Sequence, residues 1–375
     1  MAFNPFIQMI RHPTGAISGL FSGLGGRSKI PIKRPCESCM KCYQRQYMEQ
    51  PRSRNAMRWE HFNMRKNYVA DWTRLDTAIR KYEATTGPLP GLATPDLRDT
   101  LIQQIIDSEQ RVLYTERLRS RRLDPSATNP SSIGFDPLKA AILHNDSGDL
   151  DEAAWLVFLY VHFGKHKVAG WRYIRDTYSA FNSEPSRWWT WTRIAADPTS
   201  FRFWLEEHQQ DYAQSPGPRG FGNHRKYVSL DALGDRGTGA AVESYVKWVL
   251  DAGGDHKERF ESLQGHTPEE TFQAVYASLR DVVQFGRIAK FDYTTMLGKL
   301  NLLDARPPHS YLVGATGPLT GARLLLRGDP RAGSAQELQS ELAALARAIE
   351  VSADVIEDSI CNWQKTPTNY VRFSA

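Results

Sequence analysis

The stretch RGFGNHRKY, at residues 219–227, places four basic side chains around two glycines. A glycine lets the backbone approach a bound group closely, and neighbouring cations favour an anion as that group. An ordinary solvated helix face would carry acidic residues among the bases and would not need the glycines. This glycine segment, residues 219–227, therefore predicts an anion-binding site, whose candidate residues are Arg219, Gly222, His224, Arg225 and Lys226.

Three further blocks combine glycine turns with basic or acid–base residues. The first block contains His162, Lys165, His166 and Arg172 around Gly164, and Glu243 follows the glycine segment. The next block contains Arg287, Lys290, Asp292 and Lys299, and the last contains the glycines of residues 311–326. Each block alone has an ordinary explanation, such as a satisfied core histidine or a turn that only connects helices. Several cationic, glycine-hinged blocks in one chain together favour phosphate binding.

Composition sets the broad class of the protein. The chain has 375 residues, a net charge of +5, 41% hydrophobic residues and 24% charged residues, which is typical of a soluble globular protein. No apolar run approaches the roughly 20 residues that span a bilayer, and no signal peptide is recognisable. We therefore expect a cytoplasmic protein with no membrane partner. P-loop, dinucleotide-binding, H-E-x-x-H and G-x-S-x-G motifs are absent from the sequence.

The first part of the chain is strongly basic. Residues 1–58 carry ten Lys and Arg residues against two acidic residues, Glu37 and Glu49. Such asymmetry favours contact with DNA or RNA, and a solvated tail is the alternative. Residues 1–57 are also rich in Gly, Pro, Arg and Ser, which predicts an irregular basic arm.

Three cysteines in the arm form the motif CESCMKC, as Cys36, Cys39 and Cys42. Three thiols at this spacing could hold zinc or an iron–sulphur cluster, with Cys361 or His61 as the fourth ligand. A usual structural zinc site needs two pairs of ligands, and the second pair is missing. We therefore predict reduced thiols without metal, and no metal site in the chain.

The rest of the chain shows the period of helices and no run of alternating strand residues, so we predict an all-α fold. Two long helices are expected at about 58–83 and 96–122, and the Pro- and Ser-rich stretch 123–137 reads as a linker at a domain boundary. The predicted parts are the arm, a helical extension with its linker (58–133) and a domain of short helices (134–375). Most tryptophans of that domain are expected in its core.

The stretch LVGATGPLTGARLL resembles the hairpin of helix-hairpin-helix DNA-binding proteins, in which a glycine turn directs backbone N–H groups at a DNA phosphate. It departs from the usual L-P-G-V-G pattern by one extra residue. The resemblance implies DNA-binding roles for Gly314, Thr316, Gly317 and Arg323.

The blocks VHFGKH…GWR, FGNHRKY.SLD, GTGA..ESY..WV, FGR.A.FDY..MLGKL and YL.GATGP..GARLL occur in that order within residues 134–327. Together they resemble the alpha-glutamyl/putrescinyl thymine pyrophosphorylases of clade 3, or amino acid:DNA transferases. The resemblance leaves out the arm, the cysteines and the two long helices, which we interpret as lineage-specific additions. It implies a fold related to helix-hairpin-helix DNA glycosylases. It also implies hypermodification of thymine in phage or bacterial DNA.

The implied reaction replaces the pyrophosphate on 5-hydroxymethyluracil in double-stranded DNA with an amine, from an amino acid or a polyamine. Cations, or a divalent metal such as Mg²⁺, must neutralise the departing pyrophosphate, and a base must take the proton of the amine. No cofactor is otherwise implied. Under the resemblance, we expect the phosphate ligands among Lys165, His166, Arg219, Gly222, His224, Arg225, Lys226 and Arg287, and the base among His162, Glu243 and Asp292.

Two other functions remain open from the sequence. A helix-hairpin-helix DNA glycosylase would need an aspartate beyond the hairpin, and the nearest candidate, Asp329, is too close to it. A non-enzymatic DNA-binding protein would use the arm and the hairpin to hold phosphates, with the aromatic residues serving only as core.

Overall fold

The structure is a computed structural model that describes residues 61–214, 217–222, 225 and 228–372. These residues form fifteen α-helices joined by turns and short 3₁₀ segments, and they contain no β-strand. The predicted all-α fold is therefore confirmed. Within the same residues, no helix is long and apolar enough to cross a membrane.

The helices are numbered here in chain order. Their bounds are α1 His61–Thr86, α2 Pro95–Arg119, α3 Pro137–Asp146, α4 Leu150–Phe163, α5 Arg172–Tyr178, α6 Trp191–Ala196, α7 Pro198–Glu207, α8 Gln209–Gln214, α9 Thr238–Leu250, α10 His256–Glu261, α11 Pro268–Ser278, α12 Arg287–Lys299, α13 Gly317–Arg327, α14 Ala335–Ala348 and α15 Ala353–Trp363.

The two long helices occur close to their predicted positions. Helix α2 has a proline in its first turn, where the missing N–H costs nothing, and Asp96 lies in that same turn. Its last turn carries Arg117 and Arg119, so its charges oppose the helix dipole at both ends. The connection between α1 and α2 contains the predicted Gly and Pro breakers. Local signals therefore set both helices to within about one turn.

One core is aromatic and surrounds α4, which is buried along most of its length. Five tryptophans are buried in this core, namely Trp155, Trp189, Trp191, Trp204 and Trp248. The prediction that most tryptophans are core residues is therefore confirmed. Helices α9 and α12 pack against α4 and complete the centre of the cluster. This core therefore holds α4, α9 and α12, which carry the candidate chemical residues, in fixed positions.

A second core is mainly aliphatic and joins the two ends of the described chain. Residues of α1 and α2, such as Leu75 and Ile102, are buried with residues of α13, α14 and α15, such as Leu325, Leu342 and Ile360. All described residues belong to one compact unit. In the linker at 123–137, Leu123 and Phe135 pack against the aromatic core. The long helices α1 and α2 belong to the second core, which they share with α13, α14 and α15.

Candidate functional site

The glycines of the glycine segment pack against the end of α4. Gly164 ends that helix with a positive φ of 64°, and the N–H of Gly222 donates to the carbonyl of Phe163 at 2.7 Å. A Cβ on Gly222 would lie 2.9 Å from the Cα of Gly164, and one on Gly220 would lie 2.8 Å from the ring of His166. These glycines are therefore needed for close packing of two chain segments. This internal contact explains Gly222 without the bound anion that we expected there.

Arg225 is the buried residue that connects the glycine segment to α12. Its Nε donates to the carbonyl of Val161 at 2.5 Å, and its Nη2 donates to Oδ2 of Asp292 at 2.9 Å. The side chain of Arg225 is 7% exposed, whereas that of Asp292 is 40% exposed. Burial lowers the pKa of Arg225, and Asp292 opposes that effect. The pair is thus a fixed cation that holds a carboxylate at the surface.

His162 lies in the last turn of α4 and is buried beneath this pair. Its Nε2 lies 3.0 Å from Oγ1 of Thr238, and that hydroxyl donates its only proton to the carbonyl of Ser229. His162 must therefore donate from Nε2 as a neutral ring, a tautomer assigned from the hydrogen bonds. Burial and the charge of Arg225 lower the pKa of His162 to about 3. So weak a base accepts protons poorly at neutral pH, which favours a positioning role over the predicted catalytic one.

Two of the predicted phosphate ligands are used inside the protein. Arg219 donates to Asp176 at 2.9 Å and to the carbonyl of Tyr212 at 3.0 Å, and its side chain is 6% exposed. Nδ1 of His166 accepts from the N–H groups of Val168 and Ala169. Both residues therefore shape the chain around the site. The donors of Arg219 are used by Asp176 and Tyr212, whereas His166, whose Nδ1 accepts, carries its proton on Nε2.

Lys165 is the predicted ligand that remains accessible. It is exposed, and its Nζ lies 5.5 Å from the centre of the Trp171 ring. Among the described residues, no carboxylate forms an ion pair with Lys165. An exposed cation beside the Arg225–Asp292 pair can meet a phosphate group of a substrate.

Arg287, at the start of α12, lies in a second, closed pair. Its Nη1 donates to Glu357 of α15 at 2.6 Å, and its Nε donates to the carbonyl of Tyr311 at 2.9 Å. The two charged side chains are 11% and 12% exposed. Burial raises the pKa of Glu357 to about 7, and Arg287 opposes that rise, while Asp292 adds to it. Arg287 therefore joins helices near the site, where we had expected a pyrophosphate ligand.

Glu243, the predicted base on α9, has another partner. It accepts from Arg202 at 2.5 Å, and the same guanidinium donates to the carbonyl of Ala232 at 2.8 Å. No charged residue other than Arg202 pairs with Glu243 in the part of the chain that the structure describes. His162, Arg225 and Asp292 therefore lie together, whereas Glu243 pairs with Arg202, and the convergence of the four blocks on one substrate site stays a prediction.

The predicted DNA-binding hairpin forms a turn before α13. Gly314 is exposed with a φ of 78°, and Thr316 precedes the helix. Gly317 begins the helix, and a Cβ there would lie 2.7 Å from Sγ of Cys361. Arg323 is directed to the carbonyl of Gly333. Residues 300–316 separate α12 from α13. DNA binding by this turn stays a prediction.

Several predictions fall outside the described residues. These are the basic arm, Cys36, Cys39 and Cys42, and also His224 and Lys226 of the glycine segment. In the residues that the structure covers, no group of three or more His, Cys, Asp or Glu side chains could hold a metal ion. Burial raises the pKa of the Cys361 thiol to about 11.

A buried chain of hydrogen bonds was missed by the sequence. Asp151 contacts Nδ1 of His256 at 2.5 Å, Nε2 of His256 lies 2.7 Å from the hydroxyl of Tyr245, and that hydroxyl lies 2.8 Å from the hydroxyl of Tyr293. The three rings are 0% exposed, so this chain of hydrogen bonds ends inside the core at Tyr293, whereas Asp151 at its other end is 33% exposed. Asp151 and His256 are 105 residues apart, and no local pattern could have connected them.

Most of the chain matches a known protein family. The family model for alpha-glutamyl/putrescinyl thymine pyrophosphorylase, clade 3, matches residues 96–375. No curated protein and no solved structure matches the chain. The family match is wider than the resemblance noted at 134–327, and it includes α2, which is therefore no lineage-specific addition. Since the match covers well over half of the sequence, the chain belongs to the alpha-glutamyl/putrescinyl thymine pyrophosphorylase clade 3 family.

Proposed function

We propose that the protein transfers an amine, from an amino acid or a polyamine, onto pyrophosphorylated 5-hydroxymethyluracil in DNA. A C–N bond forms at the methylene carbon of the base, the C–O bond to pyrophosphate breaks, and one proton leaves the amine. The observation that carries the proposal is the Arg225–Asp292 pair, in which a buried cation fixes a half-exposed carboxylate. Family membership supports modified thymine in DNA as the substrate.

Asp292 is the residue that we assign to the amine. An ammonium group binds a carboxylate well, and the same oxygen can accept the proton that the amine loses during attack. Among the three predicted bases, Asp292 alone is both accessible and next to a predicted phosphate ligand. His162 is buried with a pKa of about 3, and Glu243, although its side chain is 39% exposed, pairs with Arg202, which is not a predicted phosphate ligand. Arg225 then acts as a positioning residue for Asp292.

The leaving group requires positive charge. Between Glu152 and Asp176, and again between Asp211 and Asp231, the chain contains no acidic residue but seven Lys and Arg residues. The two acid-free segments touch at Gly164 and Gly222. Arg172 and Arg219 pair with Asp176, and Arg225 pairs with Asp292, so the remaining cations would supply the positive charge for pyrophosphate and for DNA phosphates. Lys165 belongs to this group, and His224 and Lys226 remain proposed ligands of pyrophosphate.

A divalent metal such as Mg²⁺ remains part of the proposal. The described residues provide no dedicated cluster of three ligands, so pyrophosphate oxygens would supply most of the coordination, as is usual for Mg²⁺. Comparing turnover in EDTA with turnover in added Mg²⁺ tests this point directly.

The proposal is tested with a duplex that carries pyrophosphorylated 5-hydroxymethyluracil and a defined pool of amines. After digestion, mass spectrometry reads the nucleosides, and an amine-substituted thymidine analogue is the expected product. Release of free base would indicate the glycosylase instead, and unaltered nucleosides despite DNA binding would indicate a binding protein. Asp292→Asn is the informative variant, and Glu243→Gln is its matched control because both replace a carboxylate by an amide.

A further inference from the structure

A short loop next to the Arg225–Asp292 pair has an unusually fixed backbone. Residues 165–170 connect α4 to α5, and His166 and Gly170 exchange two backbone hydrogen bonds of 3.0 and 2.9 Å. Inside the loop, Nδ1 of His166 accepts from the N–H groups of Val168 and Ala169, at 3.3 and 2.9 Å. A side chain thus satisfies the backbone donors that an ordinary loop would leave to water. We call residues 165–170 the tip loop.

The end of the tip loop is apolar. Val168 is 72% exposed, although a polar residue would be the usual choice at an exposed turn. A single exposed apolar residue does not by itself indicate a binding site. Here, however, Val168 follows two exposed lysines, Lys165 and Lys167, and neither lysine pairs with a carboxylate among the described residues. The tip loop therefore presents one exposed apolar side chain that is close in sequence to two exposed cations.

The tip loop is also firmly connected to the candidate site. It follows Gly164 directly, whose backbone packs on Gly222, and the ring of His166 packs against Gly220. Two residues before Gly164, His162 lies beneath Arg225. A movement of the tip loop would consequently disturb the residues that hold Asp292. A loop with this connection can contact the substrate while Asp292 stays in a fixed position relative to it.

A base inside a duplex cannot reach an enzyme site, and proteins that act on bases extrude them from the stack. Apolar side chains that enter a base step promote this unstacking, and neighbouring cations hold the phosphates on either side. We propose that the tip loop enters the DNA, with Val168 in the base stack and Lys165 and Lys167 on the flanking phosphates. The proposal rests on the proposed function for its choice of DNA as substrate.

A membrane surface is a poorer occupant for the tip loop. Stable interfacial binding needs a broad apolar face, as on an amphipathic helix, and the tip loop offers one exposed valine. A protein partner would need a contiguous apolar patch, whereas the neighbours of Val168 in the sequence are a lysine and an alanine. One exposed apolar side chain next to two exposed cations fits a base step and its neighbouring phosphates.

The experiment measures extrusion separately from chemistry. The probe is a duplex that contains 5-hydroxymethyluracil with 2-aminopurine as the neighbouring base, whose fluorescence rises when stacking is lost. For the full chain we expect a rise on binding, and for Val168→Ala a rise smaller by about threefold or more, because a shorter side chain fills the stack less well. Val168→Leu should retain the signal. Equal signals for the wild type and Val168→Ala would overturn the proposal.

Two controls make the result specific. Ile133→Ala removes another exposed apolar side chain, 97% exposed and surrounded by Ser and Gly, and should leave the signal unchanged. The double variant Lys165→Ala and Lys167→Ala should reduce the slope of log affinity against log salt by about 2, since each phosphate contact contributes about 0.9. An unchanged slope would remove the assigned role of the lysines.

Failure of this proposal can be told apart from failure of the proposed function. In the transfer assay, Val168→Ala should lose turnover on duplex DNA and keep it on single-stranded DNA, where no base needs extrusion. Equal loss on both substrates would overturn the role of the tip loop in the duplex and leave the transfer reaction standing. If no transfer occurs with the wild type, the fluorescence result still decides whether the tip loop enters DNA.

Discussion

Helix α12 takes part in two arginine–carboxylate pairs that look alike in sequence and differ in exposure. At Arg225–Asp292, the helix supplies the acid, whose side chain is 40% exposed. At Arg287–Glu357, it supplies the base, and both side chains are about one-tenth exposed. An open pair can offer an oxygen to a substrate, whereas a closed pair can only hold two helices together. Exposure of the acid together with its contact to Arg225, and not the number of charges, distinguishes the candidate site.

The strongest expected effect comes from the open pair. Asp292→Asn keeps the shape of the side chain and removes its charge, so turnover in the amine-transfer assay should fall about a hundredfold or more. Duplex affinity should change little, because the phosphates are held elsewhere. Turnover within a few-fold of the wild type would show that another residue takes the amine proton.

In the closed pair, the expected loss is in stability. Arg287→Ala leaves Glu357 without its cation and frees two carbonyls, at Ser310 and Tyr311. The free energy of unfolding should drop by about 3 kcal/mol, the scale seen when one member of a buried pair is removed. Urea denaturation measures this change, with Arg280→Ala as an exposed control. A hundredfold loss of turnover with unchanged stability would return Arg287 to its predicted role as a ligand of pyrophosphate.

His162, which is buried beneath the Arg225–Asp292 pair, predicts a pH dependence of the free energy of unfolding. The pKa of His162 is lowered in the fold to about 3 by burial and by Arg225, whereas an unfolded histidine titrates near pH 6.5. The unfolded state therefore binds the proton first as the pH falls, so the stabilisation is complete above pH 6.5 and is lost below it. The loss should approach about 1.4 kcal/mol for each pH unit.

Urea denaturation between pH 7 and pH 5 measures this slope. His162→Gln should reduce it, since the substituted side chain does not titrate, although the variant will start from a lower stability. The exposed His266 provides the control, because His266→Gln should leave the slope unchanged. An equal slope in the wild type and in His162→Gln would contradict the assignment to His162.

The smallest effect is expected at Glu243. It pairs with Arg202, and the two side chains are 39% and 18% exposed, so Glu243→Gln should cost about 1 kcal/mol or less. Turnover should stay within about threefold of the wild type if Asp292 is the base. A large loss in turnover that recovers at high pH would instead identify Glu243 as the base.

Part of the candidate site could be predicted from residue types alone. The basic, glycine-hinged blocks include residues of α4, the glycine segment and α12 that meet in the fold, and substrate binding by this region stays a prediction. The partners of individual side chains could not be predicted, because Arg219 pairs with Asp176, 43 residues away in the sequence, and Arg225 pairs with Asp292, 67 residues away. The glycines of the glycine segment were expected to allow close approach of an anion, and in the structure Gly222 allows close approach of the backbone at Gly164.

The sequence by itself determined the helices. Their signals are local, since the apolar period, the capping residues and the charges at each end all lie within the helix or beside it. Tertiary structure alone decided which cations remain accessible and which carboxylate lies against Arg225. Burial and pairing depend on contacts between residues far apart in the chain, as when Glu357 reaches Arg287 across 70 positions. No local pattern encodes such a contact, so Asp292 is distinguished from Glu243 only after the chain has folded.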